Sequence, residues 1–381
     1  MQHKKIGIIL IFVILVGAAG FKYIRAGIPF LYELILKRDQ IELKQEKPQS
    51  LNVLILGIGG GAHDGPNLTD TIILANINPE KNTVHLFSIP RDLWVPELQN
   101  RINAAYATGQ AKNNKGMVLA KAAVEKVTGH PVDYVFVIDF AGFVKGVDHL
   151  GGIEVDVKRA FDDYEYPISG KENDLCGKSE EEVEELVSTA EAELGRDVFP
   201  CRYKHISFEK GVQQMDGETA LEFVRSRHAT GGEGTDFARS NRQQEVIAAL
   251  RKKTLSLGIL LNPVKVVGLV NIVQDNIKTD ISNEEYDDFI KLAQKMENAI
   301  VKNHLITQND EIAEEYGLLT NPQTSKEYKY QWVLIPRRGN GNFSEIQEYI
   351  TCIQKGNGCE VNKDTIVQQS PTPQSKPSTT Q

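Results

Sequence analysis

The chain has 381 residues, 41% of them hydrophobic and 25% charged, a globular composition long enough to bury one large core or two small ones. Its formal charge of −8 excludes the broad basic footprint on which nucleic-acid affinity rests. No nucleic-acid partner is expected, and any anion site must be local.

At the N-terminus, Lys4 and Lys5 precede an uncharged run, Ile6 to Phe21 (IGIILIFVILVGAAGF). A straight membrane helix needs about 20 apolar residues. Tilt, or extension past Lys22 with its ammonium snorkelling to the interface, makes up the difference. Residues 1–5 then form a cytoplasmic stub, 6–25 a transmembrane signal-anchor and 26–50 a polar stalk. The small residues Gly17-Ala18-Ala19-Gly20 suit the competing possibility, a cleaved signal peptide. Four cysteines behind an export signal, with no Cys-x-x-Cys, suit two disulfides, Cys176–Cys201 and Cys352–Cys359, in an extracytoplasmic domain.

Leu51 to Ile58 (LNVLILGI) is a near-continuous apolar run of strand length, followed by Gly59-Gly60-Gly61. Thr71 to Ile77 and Thr83 to Ile89 are β-rich and joined by a turn at Asn78-Pro79-Glu80-Lys81-Asn82, so they should pair as a hairpin. Gly116 to Thr128 carries a helical stripe, Met117, Ala120, Val124 and Val127, stopped by Gly129 and Pro131. Val132 to Ile138 reads as a strand, Phe140 to Leu150 as a short helix and Ile153 to Val157 as a strand. This alternation predicts an α/β fold, a mixed central sheet flanked by helices.

Glu180 to Leu194 is an amphipathic helix whose glutamates read as a solvated face rather than a metal site. Lying between Cys176 and Cys201, it is expected to be a stapled surface insertion spanning 162–205. Tyr328 to Pro336 reads as a strand and Phe343 to Ile353 as a helix, within a C-terminal extension, 261–362, that completes or abuts the main domain. The tail, 363–381, closes on Pro, Ser, Thr and Gln and cannot bury enough apolar surface to order itself.

The densest chemistry lies in Gly217 to Gln244, GETALEFVRSRHATGGEGTDFARSNRQQ, where Arg225, Arg227, Arg239 and Arg242 surround a glycine-rich loop. Asp216 can cap a helix start, and Asp236 can cap a second helix running to about Leu255. Arg225 and Arg227 are two apart and share a face only if the chain is extended there. Guanidinium forks converging from two elements suit a bidentate grip on phosphate oxygens; the alternative is a surface ion-pair network with some of the chain's 51 carboxylates. A second cluster, Ser88-Ile89-Pro90-Arg91-Asp92, follows a strand end, where ligand crevices form in α/β sheets. With Asp70-Thr71 at the start of the paired strand, a cation and two carboxylates fall at opposite ends of the hairpin or across one rim.

TDTIIL at 69–74, SIPRDLWVP at 88–96, RINAAYATG at 101–109, VDYVFVIDFAGFVKGVDHLGGIEVDV at 132–157 and the segment 216–244 resemble, in this order, the motifs of the LytR-CpsA-Psr family. These are membrane-anchored bacterial enzymes that transfer glycopolymers from undecaprenyl pyrophosphate carriers to the cell wall. The resemblance covers about residues 50 to 255 and implies a catalytic domain at 51–260. It also implies a lipid-accommodating groove and a single-pass protein of the bacterial cell membrane with its catalytic domain outside. Partners would be a polyprenyl-pyrophosphate-linked glycan, the peptidoglycan acceptor and the plasma membrane. By motif, Asp70 matches a metal-associated aspartate serving Mg2+ or Mn2+, and Arg91, with Asp92 beside it, a pyrophosphate contact at the reacting centre. Arg225, Arg227, Arg239 and Gln243 match phosphate-facing residues, and Asn103 and Tyr106 residues lining the site. Two positions depart from the pattern: Leu68 stands where the family usually has an arginine, and Gly59-Gly60-Gly61 where it usually has an aspartate, with Asp64 the candidate substitute ligand.

The reaction so implied is phosphoryl transfer: a peptidoglycan hydroxyl attacks the sugar-side phosphorus and undecaprenyl phosphate leaves, with Asp92 or Asp70 orienting or deprotonating the hydroxyl. Val132 to Phe143 and Ile247 to Leu261 are candidate walls for the polyprenyl tail. A hydrolase of the same pyrophosphate would use identical residues, and a non-catalytic wall-binding protein would tolerate their loss. A transcription regulator would need a basic helix-turn-helix inside the cell, where only Met1 to Lys5 is expected.

Overall fold

The computed structural model describes residues 43 and 50–368, apart from 62–64, 172, 190–197, 255–271, 273–275, 283–284, 297–298, 309–315, 356–358 and 363–365. The expected anchor at 6–25, nearly all of the stalk, the candidate ligand Asp64 and the far tail lie outside the described residues. Within them, no helix is long and apolar enough to cross a membrane.

The principal strands are β1 (Leu51–Ile58), β2 (Thr69–Asn78), β3 (Thr83–Ser88), β4 (Tyr134–Asp139), β5 (Ile153–Val157), β6 (Phe161–Pro167), β7 (Tyr203–Phe208), β8 (Gly211–Met215), β9 (Ile277–Thr279) and β10 (Ile300–Leu305). The principal helices are α1 (Ala104–Ala111), α2 (Gly116–Thr128), α3 (Phe140–His149), α4 (Glu180–Thr189), α5 (Gly217–Arg225), α6 (Asp236–Thr254), α7 (Tyr286–Lys295) and α8 (Ser344–Gln354).

The most continuously apolar strand, β1, takes the middle of a 6-stranded mixed sheet in the order β9-β4-β1-β2-β3-β10. It runs antiparallel to β2 and parallel to β4, and β10 runs parallel to β3. Because side chains alternate across a strand, β1 feeds both faces. Leu54, Leu56 and Ile58 join Leu74, Val135 and Val137 under the helical stripe of α2 and Ile346 and Ile350 of α8. Leu51, Val53 and Ile55 join Ile77, Tyr134 and Phe136 under Phe289 and Leu292 of α7. The expected mixed sheet flanked by helices is observed, and the C-terminal extension supplies both of its edge strands, β9 and β10.

A second core stands beside this sheet. β5 pairs with β8, and β6 with β7, and α3, α5 and α6 close on them around Val147, Ile153, Phe161, Phe208, Phe223 and Val246. The expected insertion therefore begins and ends in strands of this core, with Cys176 bonded to Cys201 beyond them. Cys352 is bonded to Cys359.

The strand expected from Tyr328 to Pro336 is reduced to Ile335–Pro336. Lys329 and Tyr330 adopt left-handed φ of 53° and 56°, which no strand accommodates. The segment follows instead the stretch after Arg91: Leu334 accepts from the Trp94 amide at 2.8 Å and donates its own to the Asp92 carbonyl at 3.0 Å.

Candidate active site

Hairpin register assembles the first half of the site. Ile73 pairs with Ser88, and the Ile89 amide donates to the Ile72 carbonyl at 2.9 Å. Continuing that register brings Asp70 opposite Arg91, so the two clusters share one rim. Arg91 Nη1 donates to Asp70 Oδ1 at 2.5 Å. Asp92 turns away from this rim and is buried, accepting from Arg91 Nε at 3.3 Å and from Arg101 Nη1 at 2.7 Å. It braces Arg91 between two guanidiniums and lines neither cavity described below. Asn103 stitches the rim by its backbone, donating to the Arg91 carbonyl and accepting from the Thr69 amide, each at 3.1 Å. The side chains of Asn103 and Tyr106 are buried, Tyr106 within the main core, and neither lines the cavities.

The second half comes from the smaller core. Asp216 caps α5, accepting from the Thr219 amide at 2.8 Å. Gly217 is required at the first turn, because a Cβ there would lie 2.3 Å from the Val144 carbonyl oxygen of α3. The helix stops at Arg225, and Ser226 is extended, with φ −51° and ψ 132°, the geometry that lets Arg225 and Arg227 serve one cavity. Arg227 Nη2 lies 3.7 Å from Asp70 Oδ1, and the Arg225 guanidinium sits 4.6 Å from the centre of the Phe140 ring. On α6, Arg239 and Gln243 are one turn apart and share a face. That helix is capped by Thr235, whose Oγ1 accepts from the Ala238 amide at 3.2 Å, one residue before the expected Asp236.

Two side chains that hold this half together escape a reading of the sequence. Asp163, 1% exposed, accepts from Ser226 Oγ at 2.6 Å and from the Arg227 and His228 amides, both at 3.2 Å. Arg242, the fourth arginine of the cluster, does not face the cavity. It is 3% exposed and donates to the carbonyls of Phe223 (2.7 Å), Ser226 (2.6 Å) and Glu233, and to the Glu233 carboxylate. It clamps the glycine-rich loop to α5. Its spacing of three from Arg239 gives no hint of this in sequence, since i and i+3 lie on neighbouring positions of one helix face.

Two cavities meet at the rim, sharing Asp70, Thr71, Arg91, Arg239 and Gln243. One, of about 260 Å³, is polar and adds Arg225, Arg227, Glu165, Tyr166 and His228. The other, of about 250 Å³, adds Ile73, Ile89, Leu305, Trp332 and Leu334, together with the polar Ser88, Thr235, Thr307 and Gln308. Of the candidate polyprenyl walls, Val132, Val135 and Val137 are packed in the main core, Phe140 lines the polar cavity, and 255–261 lies outside the described residues. Burial raises the Asp70 carboxyl, but Arg91, then Arg227, and more weakly Arg225, outweigh it and hold the group below the usual carboxylate range. Burial pushes the Tyr166 phenol up to about 12, against the pull of Arg225.

A carboxylate, four converging guanidiniums and a glutamine thus stand where two cavities of an α/β domain meet, a strongly charged rim. The chain belongs to the LytR-CpsA-Psr family: the family's sequence pattern (LytR_cpsA_psr) matches residues 32–331. It is 29% identical over 310 residues to a polyisoprenyl-teichoic acid–peptidoglycan teichoic acid transferase TagU of Enterococcus faecalis, covering 78% of this chain and 83% of that protein. It is 28% identical over 265 residues to a TagU of Bacillus cereus, covering 67% and 70%. Its fold is shared with a solved protein of Streptococcus agalactiae at a TM-score of 0.51 and 23% identity, covering 81% of this chain and 91% of that one.

Proposed function

We propose that this protein is a membrane-anchored transferase, its catalytic domain outside the cell, that moves a glycopolymer from a polyprenyl pyrophosphate carrier to peptidoglycan. The observation that carries this is the shared rim: the same Asp70, Arg91, Arg239 and Gln243 border one cavity rich in charged side chains and a second to which Ile73, Ile89, Leu305, Trp332 and Leu334 contribute apolar wall, a pairing that suits a diphosphate joining a glycan to a lipid. The names of the TagU relatives supply the reaction class.

Transfer between phosphate esters asks the protein for alignment and charge neutralisation rather than covalent chemistry. Arg91, Arg225 and Arg227 meet the diphosphate from different elements, so they fix its orientation as well as its charge. Arg239 and Gln243 face it from α6. Asp70 stays ionised among these guanidiniums, so its carboxylate is available to a divalent cation. A single carboxylate fits Mg2+ or Mn2+ provided substrate phosphate oxygens and water complete the shell, the usual arrangement for Mg2+ with phosphates. When bound, the ion neutralises charge developing on the transferred phosphoryl group. Among the described residues the one three-member group of metal-type side chains, Asp174 with Cys176 and Cys201, is closed by the disulfide.

Mass spectrometry of ligand copurifying from membranes tests the substrate class: a polyprenyl pyrophosphate is expected, and a nucleotide or a consistently empty site counts against it. Arg91→Ala and Arg227→Ala should each lower transfer by roughly 10²–10³-fold, the loss typical of one preorganised charge-stabilising donor, with unchanged thermal unfolding. Wild-type activity in both variants would refute the site. Release of free phosphorylated glycan instead of glycan joined to peptidoglycan would make the protein a hydrolase.

A further inference from the structure

The carboxylates expected to take the acceptor's proton are both committed to arginines. Asp92 is buried between Arg91 and Arg101, and Asp70 is paired with Arg91 and faces Arg227. A carboxylate engaged by guanidiniums directs its lone pairs at them rather than at an incoming hydroxyl. The Tyr166 phenol, pushed up to about 12, holds its proton, and Asp163 has both oxygens filled by amide and hydroxyl donors.

A different pair stands in the polar cavity. His228 Nδ1 lies 3.5 Å from Glu165 Oε2. A carboxylate facing Nδ1 favours the tautomer that carries its proton there, which makes Nε2 the lone-pair nitrogen. Both backbones are anchored to one buried group: Asp163 Oδ1 accepts from the Glu165 amide at 2.9 Å, and Oδ2 from the His228 amide at 3.2 Å. The same Oδ2 accepts from the Arg227 amide, so the pair is held at a fixed offset from a phosphate-facing arginine. Both His228 and Glu165 line this cavity, and their side chains are 59% and 44% exposed, against 26% for Arg91, so a hydroxyl from solvent reaches them more readily than it reaches the rim.

We propose that His228 is the general base that takes the proton of the attacking sugar hydroxyl, and that Glu165 is the positioning residue that orients it. This rests on the transfer reaction proposed above. The proton passes from the hydroxyl to His228 Nε2, and the oxygen's electron pair forms the new P–O bond to the sugar-side phosphorus. The P–O bond to the bridging oxygen breaks, and its pair leaves on polyprenyl phosphate.

The test uses full-length protein in detergent with a synthetic polyprenyl-diphosphate glycan and peptidoglycan. His228→Ala should lose about 10²–10³-fold in kcat with an unchanged KM for the lipid donor, in the range for removal of a general base. Added imidazole should restore part of the rate, which a misfolded chain would not permit. Glu165→Gln should lose less and not respond to imidazole. A kcat within about threefold of wild type in His228→Ala, or a change confined to KM, overturns the proposal. An absence of transfer by the wild type would instead overturn the parent reaction, and wild-type transfer with a fully active His228→Ala would remove only the base.

Discussion

The two halves of the site are held by different forces. At the sheet rim, Asp70 and Arg91 meet because the register of one antiparallel hairpin brings them face to face. In the smaller core, Arg225 and Arg227 are aimed by side chains: Asp163 gathers the 226–228 backbone, and Arg242 clamps the carbonyls of Phe223, Ser226 and Glu233. Register is repeated along the whole ladder and survives the loss of any one side chain. A buried polar clasp is not repeated, and removing one member leaves its partners desolvated and unpaired. Mutation of the cavity-facing arginines should therefore separate function from stability, whereas mutation of the buried clasp in the smaller core should lose both together.

The largest expected effect is on the clasp. Arg242→Ala leaves the Glu233 carboxylate and three carbonyls without their buried donor and should cost about 3–5 kcal/mol of stability, read as a lower midpoint in urea unfolding, along with transfer activity. A stable but inactive Arg242→Ala would mean that the arginine acts on substrate rather than on the loop. At the rim, Arg101→Ala frees Asp92 to compete for Arg91. It should slow transfer by about tenfold, or ~1.4 kcal/mol, with little change in unfolding; a large loss of stability there would erase the contrast between the halves.

The smallest effect is one of pH. Burial, reinforced by Lys302 and Lys81 for His85 and by His85 and Lys302 for His304, lowers both histidines to about 4, and they contact each other at 2.9 Å between β3 and β10. Unfolding returns them to the usual histidine value of about 6.5, so the unfolded chain binds more protons between pH 6.5 and 4. Stability should be flat above pH 6.5 with respect to this pair and fall as pH drops toward 4. Replacing both by Gln should flatten the profile of Tm against pH in that window. Asp70, held below the ordinary carboxylate range, keeps its charge across it, so the binding charge at the rim should outlast the stability of the sheet beneath.

Much of this was legible before the fold was known. Continuous apolar runs and turn chemistry located β1 to β5, α2 and α3 to within two residues or so, because they report burial and local backbone preference. The Asp-Thr, Pro-Arg-Asp and Arg-Ser-Arg motifs pointed to the residues that border the cavities. Tyr328 to Pro336 misled, since its aromatic and β-branched composition says nothing of the left-handed turn at Lys329 and Tyr330.

The sequence by itself determined the layered α/β sheet, the paired cysteines and the list of charged side chains, since hydrophobic period and residue chemistry are local properties. Only the tertiary structure decided which charges face ligand and which hold the chain together. It put Arg242 inside and Arg227 at the cavity, made Asp92 a brace, and joined Asp163 and Glu165 of one strand to His228 of a distant loop. Burial and hydrogen-bond partners belong to pairs of distant residues, and no single stretch of sequence encodes them.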